Sequence, residues 1–205
     1  MAKEWWKTFF DENYVSFWKD RGHFAHTRRE VNFLVKNVPI RKQDLILDLC
    51  CGHGRHSTEF ARRGFKVIGL DYSAYELGLA KSEAEKRNLI IDFRRGDARN
   101  FKFKEKFDVI INMFTAFGYG SKEDDIKIVR NVTKHLKKGG KFFIEFMNLP
   151  WLWRHYKSRD KEKFGDKTAE MERSYDFLTN VNHEKSVFKV KGKKEFMKFS
   201  FGGTH

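Results

Sequence analysis

From residue 45 onward the chain alternates between short apolar runs and longer stretches in which apolar positions recur every three or four residues. Leu45, Ile46, Leu47 and Leu49 make the first run, the pattern of a strand buried on both faces within a parallel sheet. Gly52 and Gly54 then permit a tight turn, and from Ser57 the spacing becomes helical, with Phe60 and Ala61 opposite Arg62 and Arg63. Further strands are expected at 66–70, 89–93, 107–112 and 141–147. Helices fill 73–87, with Ser73 as N-cap, and 123–137, ended by Lys138-Gly139-Gly140. This alternation across 45–147 predicts an α/β fold, a doubly wound and mainly parallel sheet with helices on both faces and right-handed crossovers.

Two regions flank that core. Residues 3–19 carry Trp5, Trp6, Phe9, Phe10, Tyr14, Phe17 and Trp18, which a helix would gather on one broad face, either docked on the domain or closing over a site as a lid. A second helix runs from Thr27 through Val31, Phe33, Leu34 and Val38 to Pro39. His23, His26 and Arg29 between them read as surface residues. Beyond Pro150, residues 151–163 are basic, aromatic and expected to be helical, and alternating segments at 170–179, 185–191 and 194–201 predict an antiparallel meander with one wet face. The organisation expected is an N-terminal helical lid over 1–38, a cofactor-binding core over 39–150, and a basic and aromatic segment with β meander over 151–205.

Composition narrows the classes. A chain of 205 residues suits one domain with appendages. Its net charge of +14 raises RNA or an anionic substrate as a partner, although the lysines are interspersed, as on an ordinary solvated surface or on strand edges protected from pairing. The only cysteines, Cys50 and Cys51, are adjacent and imply a reducing, cytoplasmic setting. Neighbouring strand residues point to opposite faces, so these thiols do not converge with His53 and His56 on a metal, and none is expected. There is no signal-peptide pattern and no apolar run near the ~20 residues of a membrane span.

The chemistry concentrates at 48–57, D-L-C-C-G-H-G-R-H-S. A strand, a glycine turn and a helix start leave free N–H groups facing the crevice beyond the strand, which suits a nucleotide-like ligand. Asp71 ends the second strand 17 residues past Gly54, near the ~20-residue spacing at which an acid accepts both hydroxyls of a ribose. A dinucleotide-binding oxidoreductase would use the same turn, but it wants a third glycine where this chain has Ser57.

The run D-L-C-C-G-H-G-R-H resembles the first motif of class I S-adenosylmethionine-dependent methyltransferases, with Cys50 standing where that motif most often has its first glycine. The resemblance covers roughly 27–147 and implies a Rossmann-like fold. It implies that Asp97, in Gly96-Asp97-Ala98 after the third strand, takes the adenine amine while its neighbour's backbone bonds the ring. It also implies that the backbone at Asn112 and Met113 holds the methionine part. The cofactor set on this reading is Asp48, Cys50, Cys51, Gly52, Gly54, Asp71, Tyr72, Ser73, Gly96, Asp97, Ala98, Asn112 and Met113, with S-adenosyl-L-methionine as cofactor. Tyr14, Trp18, Phe114, Phe117 and Tyr119 would line the acceptor pocket.

F-F-D-E-N-Y and M-F-T-A-F-G-Y-G look like a bacterial and archaeal branch whose substrates are mostly unassigned small molecules. That branch often follows its meander with another helix and a closing strand pair, which this sequence lacks. The expectation is a shortened form, a sheet edge covered by another chain in a homo-oligomer, or a truncated product. The implied reaction is methyl transfer to a small molecule by direct in-line displacement; an RNA methyltransferase and a non-catalytic cofactor-binding protein are the alternatives beside the oxidoreductase. No catalytic base is assigned, Tyr119 and His155 being the only candidates.

Overall fold

A computed structural model describes residues 4–12, 14–16, 23–178, 181–190 and 199–204. Five strands, β1 (Leu45–Leu49), β2 (Lys66–Asp71), β3 (Asp92–Arg95), β4 (Phe107–Asn112) and β5 (Leu136–Ile144), form one sheet in the order β3-β2-β1-β4-β5. Every pairing in it is parallel. β1 therefore lies centrally, which is why its residues are apolar on both sides. Ile46, Val67, Val109 and Ile111 pack on one face with Val31 and Leu34 of helix α2 (Thr27–Asn37) and Phe60 of α3 (Arg55–Arg62). Leu47, Leu49, Ile68, Leu70 and Ile110 pack on the other face with Val132 of α5 (Lys122–His135). Helix α4 (Ala74–Lys86) sets Leu77, Ala80 and Ala84 against Phe93 of β3. Burial of these alternating side chains is the main force holding the layers together.

Several boundaries move for local reasons. The third strand starts at Asp92 because Asn88, at φ 54°, closes α4 and the Leu89 amide donates back to Ala84. β5 begins earlier than expected: Leu136 pairs with Phe107, and the Gly139-Gly140 pair, expected as a stop, lies in an irregularity before Lys141 pairs with Val109. The N-terminal aromatics do not form one helix. A single turn, α1 (Trp6–Phe9), breaks at Phe10, and Asp11 Oδ1 accepts the Tyr14 amide at 3.1 Å to start a new helical stretch.

Helix α6 (Leu149–His155) is shorter than the expected 151–163 helix, which gives way to a strand, β6 (Arg159–Phe164). β6 joins β7 (Lys167–Asp176), β8 (Val181–Val190) and β9 (Phe199–Thr204) in a second, antiparallel sheet of four strands. The charged run Arg159–Lys163 hides β6 from hydrophobic periodicity. Charge pairing across the ladder suits it, with Lys161 bridged to Glu170 and Arg159 to Glu172. Of the expected segment 194–201, residues 194–198 lie outside the described part of the chain. Among the described residues no helix is long and apolar enough to cross a membrane.

Candidate functional site

The turn after β1 is built by two acids. Asp48, almost fully buried, accepts the amide and the hydroxyl of Ser57 at 3.0 and 2.6 Å, so it satisfies the first turn of α3 from below in place of a side-chain cap. Burial pushes its carboxyl above the usual range. Asp71 Oδ2 accepts the Gly52 amide at 2.8 Å and Oδ1 the Ser73 amide at 2.8 Å. A carboxylate offers about four lone-pair sites, so Asp71 keeps acceptor capacity after fixing both turns. Cys50 takes φ 60°, a left-handed conformation that explains why a glycine would serve there. Burial pushes both thiols up, so neither is a thiolate.

Above this turn lies the main cavity. Its wall includes Cys50, Cys51, Gly52, Asp71, Tyr72, Gly96, Asp97, Ala98 and Met113, and from the aromatic set Tyr14, Phe114 and Tyr119. Residues from the ends of four neighbouring strands thus converge, as the parallel order requires. The other expected residues lie off the wall. Asp48 sits beneath the turn. Gly54 faces α4, where a Cβ would meet Ala80 Cβ and the Phe93 ring at 2.8 Å. Ser73 caps α4 through the Glu76 amide, and its hydroxyl donates to the Phe10 carbonyl. The Asn112 amide donates to the Leu49 carbonyl at 2.9 Å. Phe117 packs on Phe146 with ring centroids 5.7 Å apart, and Trp18 lies outside the described residues.

The N-terminal segment forms the roof. Trp6 and Phe10 join Tyr14 in the cavity wall. Tyr119 stacks on Phe10 at 5.9 Å and lies 4.9 Å from Trp5. Burial pushes both tyrosine hydroxyls upward, so they keep their protons. Arg99 staples this roof: it pairs with Glu4 at 2.6 Å, Asp97 at 2.5 Å and Asp124 at 3.3 Å. The Arg99 fork occupies both oxygens of Asp97, so a further donor there shares the carboxylate with a guanidinium.

Further ionisable residues line the wall, and of these Glu76, Arg55 and Arg99 escaped the sequence reading. Glu76 is buried, its carboxyl lies where a Cβ on Gly52 would be, and burial followed by the nearby Asp71 charge pushes it up to about 8. His53 is pushed down to about 4 by burial and by the charges of Arg55 and His56. Arg55, the first residue of α3, donates to Thr27 and Glu30 of α2, and His56 bonds the same Glu30 at 2.8 Å. Burial opposes ionisation of Glu30, but the His56 and Arg55 hydrogen bonds outweigh it and hold the carboxyl at about 2. Glu76 sits at a helical position indistinguishable in sequence from a solvated one. His155 lies elsewhere, stacked on Trp151 and bonded to its carbonyl at 2.8 Å.

Residues 46–140 match the model of a methyltransferase domain. That stretch runs from β1 into β5 and so takes in most of the parallel sheet. It is 34% identical over 122 residues to the ubiquinone biosynthesis O-methyltransferase of Pelagibacter ubique (strain HTCC1062), covering 56% of this chain and 49% of that protein. The chain therefore spans about half the length of that curated relative. Among solved structures, the CcbJ methyltransferase from Streptomyces caelestis superposes with a TM-score of 0.79 at 17% identity, over 97% of this chain and 82% of that one. The SAM-bound amino pentose methyltransferase CalS10 from Micromonospora echinaspora gives a TM-score of 0.66 at 23% identity, over 94% and 80%. These two likenesses are of fold. The matched span includes the glycine turn and the Asp71 tip.

Proposed function

We propose that this chain transfers a methyl group from S-adenosylmethionine to a small-molecule acceptor by direct in-line displacement. The observation that carries this reading is the shared wall: the β1 turn, Asp71 fastened to Gly52, and Asp97 enclose one cavity under an aromatic roof. The residues fit the cofactor. Asp71 retains lone pairs for two ribose hydroxyls, and Gly52 brings backbone close to the cavity. Asp97 and Ala98 stand at the adenine end. Bound there, the cofactor supplies a methyl group on a sulfonium that already has a good leaving group.

The protein's part is then alignment and exclusion of water. Trp6, Phe10, Tyr14 and Tyr119 cover the crevice with apolar surface, and the two phenols, which keep their protons, act as hydrogen-bonding groups and not as bases. His53, pushed down to about 4, is neutral at neutral pH and lines the same wall. A small acceptor accords with the names of two similar proteins, a ubiquinone biosynthesis O-methyltransferase and an amino pentose methyltransferase. The basic surface supports RNA less well. In the second sheet Lys161 and Lys189 are both paired with Glu170, and Arg173 with Glu184. We place the protein in the cytoplasm, where Cys50 and Cys51 stay reduced, and assign any pairing of copies to the β5 edge or the second sheet.

Calorimetry with S-adenosylhomocysteine and with NAD tests the cofactor. S-adenosylhomocysteine should bind and NAD should not; the reverse result ends the proposal. Methyl label from the cofactor should enter a metabolite extract, whereas label confined to total RNA would move the acceptor to RNA, and no label in either would indicate a silent binder.

A further inference from the structure

Glu76 is a buried acid in the first turn of α4, and it forms part of the cavity wall. Its Oε2 fills the space beside Gly52 that a Cβ would need, so the glycine of the β1 turn makes room for this carboxyl. The backbone N–H of His53 donates to it, and among the described residues neither lysine nor arginine pairs with it. The ionisable groups around it offer no compensation. Asp71 at the tip of β2 repels its charged form. Tyr14 of the roof, Tyr119 after β4, and the thiols of Cys50 and Cys51 all keep their protons. His53 is neutral above about pH 4, and Arg55 at the start of α3 is committed to Thr27 and Glu30. A carboxylate buried without a cation is costly, so Glu76 holds its proton up to about pH 8. A cation entering the same wall reverses that balance.

The methyl donor of the proposed reaction is a sulfonium cation and its product, S-adenosylhomocysteine, is a neutral thioether. We propose that Glu76 is a charge sensor: it gives its carboxyl proton to solvent when the cationic donor enters the cavity and takes one back when the neutral product remains. The wall then holds donor more tightly than product. The charge balance closes: once the methyl has left sulfur the bonding pair stays there, the positive charge leaves with the acceptor, and solvent returns a proton to Glu76. This assignment rests on the methyl-transfer reading and requires no contact between Glu76 and the acceptor.

The test is calorimetry on the full chain at pH 7 in two buffers of different ionisation enthalpy, which counts the protons exchanged on binding. Glu76→Gln keeps the size of the protonated side chain but has no proton to give, and a thermal melt checks that it folds. The ligands' own amino groups titrate in both proteins, so the difference between wild type and variant belongs to Glu76. Relative to Glu76→Gln, the wild type should release roughly half a proton or more with S-adenosylmethionine and close to none with S-adenosylhomocysteine. On the same comparison, the preference for donor over product should grow at least ~threefold between pH 6 and pH 8. Glu76→Met, a second neutral side chain, should behave as Glu76→Gln does. Equal proton release with both nucleosides, or a pH profile that both variants retain, overturns the proposal. Failure of the wild type to bind either nucleoside would instead sink the methyl-transfer reading beneath it.

Discussion

Asp71 Oδ2 accepts the backbone N–H of Gly52 at 2.8 Å, so the tip of β2 is fastened to the turn that ends its neighbour β1. Under the proposed function the same carboxylate would take the ribose hydroxyls, adding a ligand contact to a structural tie. Asp71→Ala should therefore weaken S-adenosylhomocysteine binding at least ~10-fold, about 1.4 kcal/mol or more. It should also lower the melting temperature, because the Gly52 amide loses its partner. Calorimetry and a thermal melt read the two effects separately.

Gly54 and Gly78 should respond to alanine with opposite signs. Gly54 sits at φ 73° and its added Cβ would meet Ala80 Cβ and the Phe93 ring at 2.8 Å. The left-handed conformation costs about 1–2 kcal/mol and the collision about 1–3 kcal/mol more. Gly78 lies within α4 with open space around it, so Gly78→Ala should stabilise by about 0.5–1 kcal/mol. Denaturant unfolding of both variants checks the contrast.

Glu76 gives the fold a pH dependence. Its carboxyl rises from 4.5 to about 8 in the folded state, so between those values the folded protein holds a proton that the unfolded chain has released. The stability this contributes is complete below about pH 4.5 and is lost as pH climbs through about 8. Glu76→Gln should flatten that decline and be more stable than wild type at pH 8 by a few kcal/mol, an order-of-magnitude figure. His53 works on the acid limb: lowered from 6.5 to about 4, it contributes stability above the first value that is lost as pH falls through the second. Unfolding curves from pH 4 to 9 would show both limbs.

Arg99 anchors the N-terminal roof. Because it joins Glu4 of the roof to Asp97 and Asp124, Arg99→Met should release the N-terminal segment. Trypsin cleavage after Lys7 should accelerate severalfold while the sheet stays protected. Unchanged cleavage would mean that the aromatic contacts hold the roof without this staple.

The central sheet was legible because β1, β2 and β4 are buried on both faces, and only apolar residues suit that position. The glycine turn and Asp71 were legible because their spacing is set by the strand and helix between them. Periodicity failed where side chains answer to other demands. Leu89 is apolar but completes the end of α4, and β6 is held by cross-ladder charge pairs with no apolar stripe to reveal it. Among cavity-wall residues, the acids at the strand tips could be read, but Glu76, Arg55 and Arg99 could not. Their roles depend on which face of a helix or loop turns inward, and a charged residue in sequence looks solvated until the tertiary fold buries it.

Helix α2 adds no strand, yet Thr27 and Glu30 seat Arg55 and His56 at the rim of the β1 turn, and Val31 and Leu34 cover one side of the sheet. A version trimmed to begin at Leu45 would retain the whole parallel ladder while stripping the backing from its most exacting corner. The smallest unit that keeps this corner intact accordingly starts well upstream of the first strand, and engineering that grafts only the strand-and-turn portion should yield a scaffold without a seat for its guanidinium.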